Sequence, residues 1–98
     1  MAGASLLAKG EGRCAVTGAL TLETAPVLWE QLKAGGLLSG AREADLSGVT
    51  DADSAGLALL VAWRGQCLAA GGSLGFQALP ARIMALARLT SAEAALGA

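Results

Sequence analysis

The stretch from Asp45 to Val61 reads Asp-Leu-Ser-Gly-Val-Thr-Asp-Ala-Asp-Ser-Ala-Gly-Leu-Ala-Leu-Leu-Val, and it decides the fold. It is typical of a strand, a tight acidic turn and the start of a helix. Ser54 stands where that helix begins, after Asp51 and Asp53, so its hydroxyl lies beside backbone N–H groups that lack an intrahelical partner. A hydroxyl in that position suits a helix cap, a phosphate acceptor or a contact with another protein.

The rest of the chain supplies further strands and helices around this stretch. The predicted strands are residues 5–8, 13–17, 43–46 and 73–78, the first two joined as a hairpin. The predicted helices are one from Thr24 to Gly35, one from Ser54 to Ala70 and one from Pro80 to Leu89. Because strands alternate with helices, we expect an α/β domain with helices mainly on one side of the sheet. A chain of 98 residues has room for one domain, residues 1–98.

The residue types that are missing argue against enzyme chemistry. The sequence contains no His, which removes Ser-His-Asp and Cys-His catalysis and most zinc sites. Neither glycine-rich phosphate-binding motif is present. Asp51 and Asp53 are expected to stabilise the first turn of the helix rather than to act as an acid–base pair. We therefore expect no catalytic residue, no cofactor and no metal.

Charge and hydropathy argue against nucleic acid and against insertion into a membrane. The net charge is −1, and only two Trp and one Phe are available to stack on bases. No basic, apolar leader opens the chain, and no apolar run reaches the roughly 20 residues that span a bilayer. Cys14 and Cys67 are expected to be buried thiols in a reducing compartment. These features predict a cytoplasmic protein.

The helix that begins at Ser54 is apolar on two sides. At 100° per residue, one side, which we expect to face the sheet, holds Leu57, Leu60, Val61 and Leu68, with the charge of Arg64 reaching out past the sheet edge. The other side holds Gly56, Leu59, Trp63 and Ala70. If this second side is open, Leu59 and Trp63 form an anchor pair for another protein. The alternative is that Trp63 packs under a neighbouring helix.

Several segments of the chain resemble STAS domains. The residues that carry the resemblance are Leu28-Trp29, Asp45–Thr50, Asp53–Leu60, Leu79–Arg82 and Leu86–Leu89. STAS domains include anti-sigma factor antagonists and the MlaB-type subunits of bacterial phospholipid ABC transporters, and the likeness is greatest to the MlaB type. The resemblance implies a four- to five-stranded mixed sheet with three to four helices packed mainly on one face.

The resemblance also implies a function. An MlaB-type chain is a non-enzymatic accessory subunit that binds the transporter ATPase, with the permease in the same complex, and lies peripheral to the inner membrane through that partner. The implied contact surface consists of Asp51, Asp53, Ser54, Ala55, Leu59, Trp63, Arg82 and Met84.

A rival interpretation keeps the same fold and changes the partner. In it the chain is an anti-sigma factor antagonist, and its kinase partner phosphorylates Ser54, the residue that corresponds to the motif hydroxyl of the family. A phosphate beside Asp51 and Asp53 would act as a switch on binding. A small-molecule sensor is a third possibility, but it would need an apolar cavity, which the Ala-rich core does not suggest.

Overall fold

Four strands form one mixed sheet in the computed structural model, which describes residues 3–97. Residues 1, 2 and 98 of the predicted domain lie outside this range. In spatial order the strands are β1 (Ala4–Gly10), β2 (Arg13–Leu20), β3 (Glu43–Ala52) and β4 (Gly75–Gln77). β1 and β2 form the predicted antiparallel hairpin, whereas β2, β3 and β4 run parallel to one another.

The connections between the parallel strands are helical, as the crossover rule requires. Between residues 3 and 97 the helices are α1 (Ala25–Ala34), α2 (Leu37–Gly40), α3 (Ser54–Ala69) and α4 (Ala81–Leu89), followed by a 3₁₀ turn at Ala94–Leu96. This arrangement confirms the predicted α/β fold. None of the helices in the described range combines the length and the apolar composition that crossing a membrane requires.

The two faces of the sheet differ in character. Cys14, Val16 and Leu46 lie on the face that the helices cover and are buried in the core. On the opposite face the side chains form cross-strand ion pairs, with Arg13 Nε lying 3.4 Å from Glu43 Oε2. The core therefore lies between the sheet and a single layer of helices.

The structure contradicts the expectation that Leu59 and Trp63 face outward. Leu59 is only 6% exposed and Trp63 is 0% exposed. The indole Nε1–H of Trp63 donates to the carbonyl oxygen of Leu37 at 2.8 Å, and its ring lies 5.8 Å from that of Phe76. The reason is that α3 occupies the middle of the helix layer, with α1 and α2 on one side and α4 with the 3₁₀ turn on the other. A helix with neighbours on both sides buries most of its circumference.

Two further residues of α3 differ from the prediction. Leu68, expected on the core side, is 47% exposed in the last turn of the helix. Arg64 does not extend into solvent past the sheet edge. Its guanidinium is half-buried and donates to the carbonyl oxygens of Leu74, Ala94 and Ala95 at 3.2, 3.5 and 3.4 Å, so it ties the 3₁₀ turn to α3.

Candidate functional site

The loop after β2 and the start of α3 meet at one end of the sheet. β2 and β3 are parallel and pair, with two register shifts, as far as Leu20 and Ala52, so the segments that follow them emerge side by side. In open α/β sheets, ligands bind at this carboxyl end of the parallel strands. The loop after β2 is fixed by Thr24, whose hydroxyl donates to Ala19 O at 2.8 Å and accepts from Thr21 N at 2.9 Å.

Asp53 connects the two segments. As the N-cap of α3, its Oδ1 accepts from the backbone N–H groups of Ala55 at 2.9 Å and Gly56 at 3.2 Å. Its Oδ2 accepts from Leu22 N at 3.1 Å, across from the loop after β2. The Leu22 hydrogen bond is the main cause that lowers the pKa of Asp53, with Gly56, Ala55 and the positive charge of Arg82 as smaller causes. The carboxylate is therefore held in its charged form by both segments.

Ser54 is the first residue of α3 and is exposed. From the sequence, either Asp53 or Ser54 could cap this helix, and in the structure the cap is Asp53. The Ser54 hydroxyl is consequently free of a structural role as the cap and faces solvent. It remains open to a partner protein or to a modifying enzyme.

Asp51 does not help to cap α3, contrary to expectation. Its Oδ1 accepts from the adjacent Ala52 N at 2.9 Å, and the side chain is exposed near the end of β3. It borders two shallow depressions on the surface. One is lined by residues 21–23 together with Asp53, and the other by residues 49–52 together with residues 80–82.

Leu22 belongs to this surface, although the sequence did not single it out. It is 73% exposed, whereas Leu20 two residues earlier is fully buried. The sequence feature that could have identified it is its position between the polar residues Thr21 and Glu23, beyond the alternation of apolar and polar residues in β2.

The remaining predicted surface residues are distributed unevenly. Arg82 is exposed at the start of α4, close enough for its charge to act on Asp53. Ala55 and Met84 are half-buried, and Met84 packs against the core. Leu59 and Trp63 are absent from the surface because they are buried. We use the name α3-entry surface for the exposed and half-exposed residues that remain at this end: Leu22, Glu23, Asp51, Asp53, Ser54 and Arg82.

A close backbone contact holds the α3-entry surface on the sheet. Gly56 lies against the end of β2, and a Cβ atom at this position would overlap the carbonyl oxygen of Leu20. Only glycine allows α3 to begin so near the strand. The position of Ser54 relative to the loop after β2 is therefore fixed by the backbone as well as by Asp53.

The two cysteines are removed from this surface. Cys14 and Cys67 are both buried. Burial is the main cause that raises the pKa of the Cys14 thiol to about 11, and it also raises the pKa of Cys67. Both thiols are protonated at neutral pH and lack the thiolate character of a nucleophile. Within residues 3–97, no group of three or more metal-binding side chains lies close enough to hold an ion.

Comparison with known proteins agrees with the fold. The model of the family described as "Mlab, STAS domain" matches residues 6–97. No curated protein matches the chain. Among solved structures, a similar one is the murine Solute Carrier 26 family member A9 anion transporter in the inward-facing state, with a TM-score of 0.62 and 16% sequence identity. The match covers 91% of this chain but only 18% of the transporter chain, and it shows the fold alone.

Proposed function

Because this chain belongs to the MlaB-type STAS domain family, we propose that it is a non-enzymatic accessory subunit of an Mla-type phospholipid ABC transporter. It binds the ATPase subunit and supports the assembly or the activity of the transporter, with the permease in the same complex. It lies in the cytoplasm, peripheral to the inner membrane through that partner. The lipid moves through the other subunits.

The α3-entry surface is the part of the molecule that we propose makes the contact. The observation that carries this proposal is the exposed Ser54, in the position of the family's motif hydroxyl, beside the exposed Leu22. Asp53 and Gly56 hold these two residues in a fixed relation. A preorganised surface loses little conformational entropy when it binds, which favours a lasting complex.

The burial of Leu59 and Trp63 changes the proposed contact but does not remove it. The contact lies at the end of α3 and on the neighbouring loop, not along the outer side of the helix. Arg82, at the start of α4, is part of the contact, and the half-buried Ala55 and Met84 lie at its margin.

The alternative function is that of an anti-sigma factor antagonist. The exposure of Ser54 favours it, because a kinase can transfer the γ-phosphoryl group of ATP only to an accessible hydroxyl. The added phosphate would bring about 1.5 to 2 negative charges to a surface that already carries Asp51 and Asp53. In this case the partner is the kinase itself.

Binding to the purified ATPase subunit of the Mla-type transporter of the same organism tests the proposal. Isothermal titration calorimetry should detect a complex with the wild-type chain. Ser54→Trp should weaken it by at least about tenfold, because an indole at the centre of the contact prevents close approach. Ser73→Trp is the matched control, since Ser73 is exposed just before β4, whose first residue pairs with Glu43 at the opposite end of the parallel strands, and it should bind like the wild type.

Two results would contradict the proposal. One is the absence of a complex between the wild-type chain and the ATPase. The other is a complex that Ser54→Trp and Ser73→Trp weaken equally. Phosphorylation of Ser54 by a bound kinase, found by mass spectrometry in place of an ATPase complex, would favour the alternative.

A further inference from the structure

Leu22 is held in an exposed position rather than left in a loose loop. Its side chain is 73% exposed, and its backbone N–H donates to Asp53 Oδ2 at 3.1 Å. On the other side of the same loop, Thr24 forms hydrogen bonds with Ala19 and Thr21. The loop is therefore fixed at both ends of Leu22, and a leucine fixed in water is ready to be buried by another protein.

Carboxylates surround this leucine. The depression that Leu22 lines is completed by Thr21, Glu23, Asp51 and Asp53, so three acidic side chains border it and, among residues 3–97, no basic side chain lines it. The nearest cation of the α3-entry surface is Arg82, which lines the adjacent depression. With Arg82 counted, the six residues of the α3-entry surface carry three negative charges and one positive charge. The surface is apolar at one point and acidic around it.

A separate shallow groove lies on α1. Val27 is 55% exposed and lines a shallow apolar groove with Pro26, Glu30, Gln31 and Ala34. The carboxylate of Glu30 lies 3.8 Å from Lys33 Nζ, so the negative charge of this groove is partly neutralised. Leu22 rather than Val27 therefore lies where apolar exposure and net negative charge coincide.

We propose that Leu22 is the anchor residue of the contact, and that it inserts into an apolar pocket of the ATPase that is bordered by Arg or Lys side chains. Basic groups on the partner would meet Glu23 and Asp51, and the pocket would bury the leucine. Charge complementarity of this kind accelerates association and fixes orientation, whereas burial of the anchor supplies affinity. This inference rests on the proposed function, because it describes the chemistry of the same contact.

The test compares the affinity of variants of the full chain for the purified ATPase. Leu22→Ala should weaken binding by about tenfold or more, and Leu22→Met, which keeps the apolar bulk, should restore most of it. Glu23→Lys should weaken binding about fivefold at low salt, and this effect should diminish at 0.5 M salt because exposed charges are screened. Leu7→Ala and Glu11→Lys make the same changes on β1 and in the hairpin turn, and both should bind like the wild type.

The outcomes separate this inference from the proposed function. If the wild-type chain binds the ATPase but Leu22→Ala binds within twofold of it, the inference is wrong and the proposed function stands. If Glu23→Lys strengthens binding, the partner surface is acidic and the inference is equally wrong. If the wild-type chain does not bind the ATPase, the proposed function fails together with the inference. Urea unfolding of each variant verifies that the fold is retained.

Discussion

At the scale of single residues, Asp53 is the residue that joins the two segments of the α3-entry surface. One carboxylate accepts hydrogen bonds from Leu22, Ala55 and Gly56, and these donors come from two segments that are far apart in sequence. Sequence reasoning recognised the cap from the acidic turn before an apolar helix. It did not find the bond to Leu22, because a hydrogen bond between residues 22 and 53 depends on the parallel register of β2 and β3.

We predict that Asp53 gives the fold an acid-sensitive contribution to stability. Its pKa is lowered below the unfolded value of 3.8, so the charged form favours the folded state above that pH, and the contribution is lost as the pH falls through the folded-state pKa. Asp53→Asn keeps a side-chain oxygen for the cap but has no charge to lose. Urea unfolding of both proteins between pH 7 and pH 3 should show the wild type more stable at pH 7 and the difference decreasing in acid. A difference that is constant over this range would contradict the prediction.

At the scale of secondary structure elements, the sequence predicts the bounds of α3 but not which of its sides are buried. Its bounds, Ser54–Ala69, agree with the predicted helix within one residue, because an acidic cap and a Gly-Gly terminator are local signals. The burial of Leu59 and Trp63 is not local. It depends on α2 and α4 lying on either side of α3, and periodicity within one helix cannot show how many neighbours that helix has.

In β3, too, tertiary contacts decide a feature that the local sequence does not predict. The sequence predicted a strand over residues 43–46, whereas β3 extends from Glu43 to Ala52. The residues that extend it include Ser47, Gly48 and Asp51, which have poor strand propensity. Gly48 and Asp51 pair with Thr17 and Ala19 of β2, and Ser47 lies at the register shift just before them. Tertiary pairing overrides local preference here, and it places Asp51 and Asp53 at the α3-entry surface.

Two glycines of α3 should respond in opposite ways to alanine. Gly56→Ala places a Cβ atom on the carbonyl oxygen of Leu20, so the helix must shift, and we expect the free energy of unfolding to fall by about 1–2 kcal/mol despite the gain in helix propensity. Gly65→Ala is the matched control. No atom lies within 4 Å of its added Cβ, and the free energy of unfolding should rise by about 0.5–1 kcal/mol. Urea denaturation measures both, and a stabilised Gly56→Ala variant would mean that α3 does not contact β2 so closely.

At the scale of the whole molecule, the fold presents two very different surfaces. The uncovered face of the sheet carries ion pairs between Lys9 and Asp45 and between Arg13 and Glu43, with the exposed Leu7 on the same face. The α3-entry surface combines an exposed leucine, an exposed serine and three carboxylates at the carboxyl end of the parallel strands. The large apolar side chains that the described residues leave exposed are Leu7, Leu22, Val27, Leu68 and Leu89, and of these Leu22 belongs to the α3-entry surface.

Hydrogen–deuterium exchange of the chain, alone and with the Mla-type ATPase, tests the central claim most directly. If the α3-entry surface is the docking site, binding should slow exchange of the backbone amides at residues 21–24 and 53–56 and at the start of α4. Exchange in β1, where Ser5 and Leu7 are exposed, should be unchanged. Protection confined to β1 and to the uncovered face of the sheet, with residues 21–24 and 53–56 exchanging as in the free chain, would contradict the account.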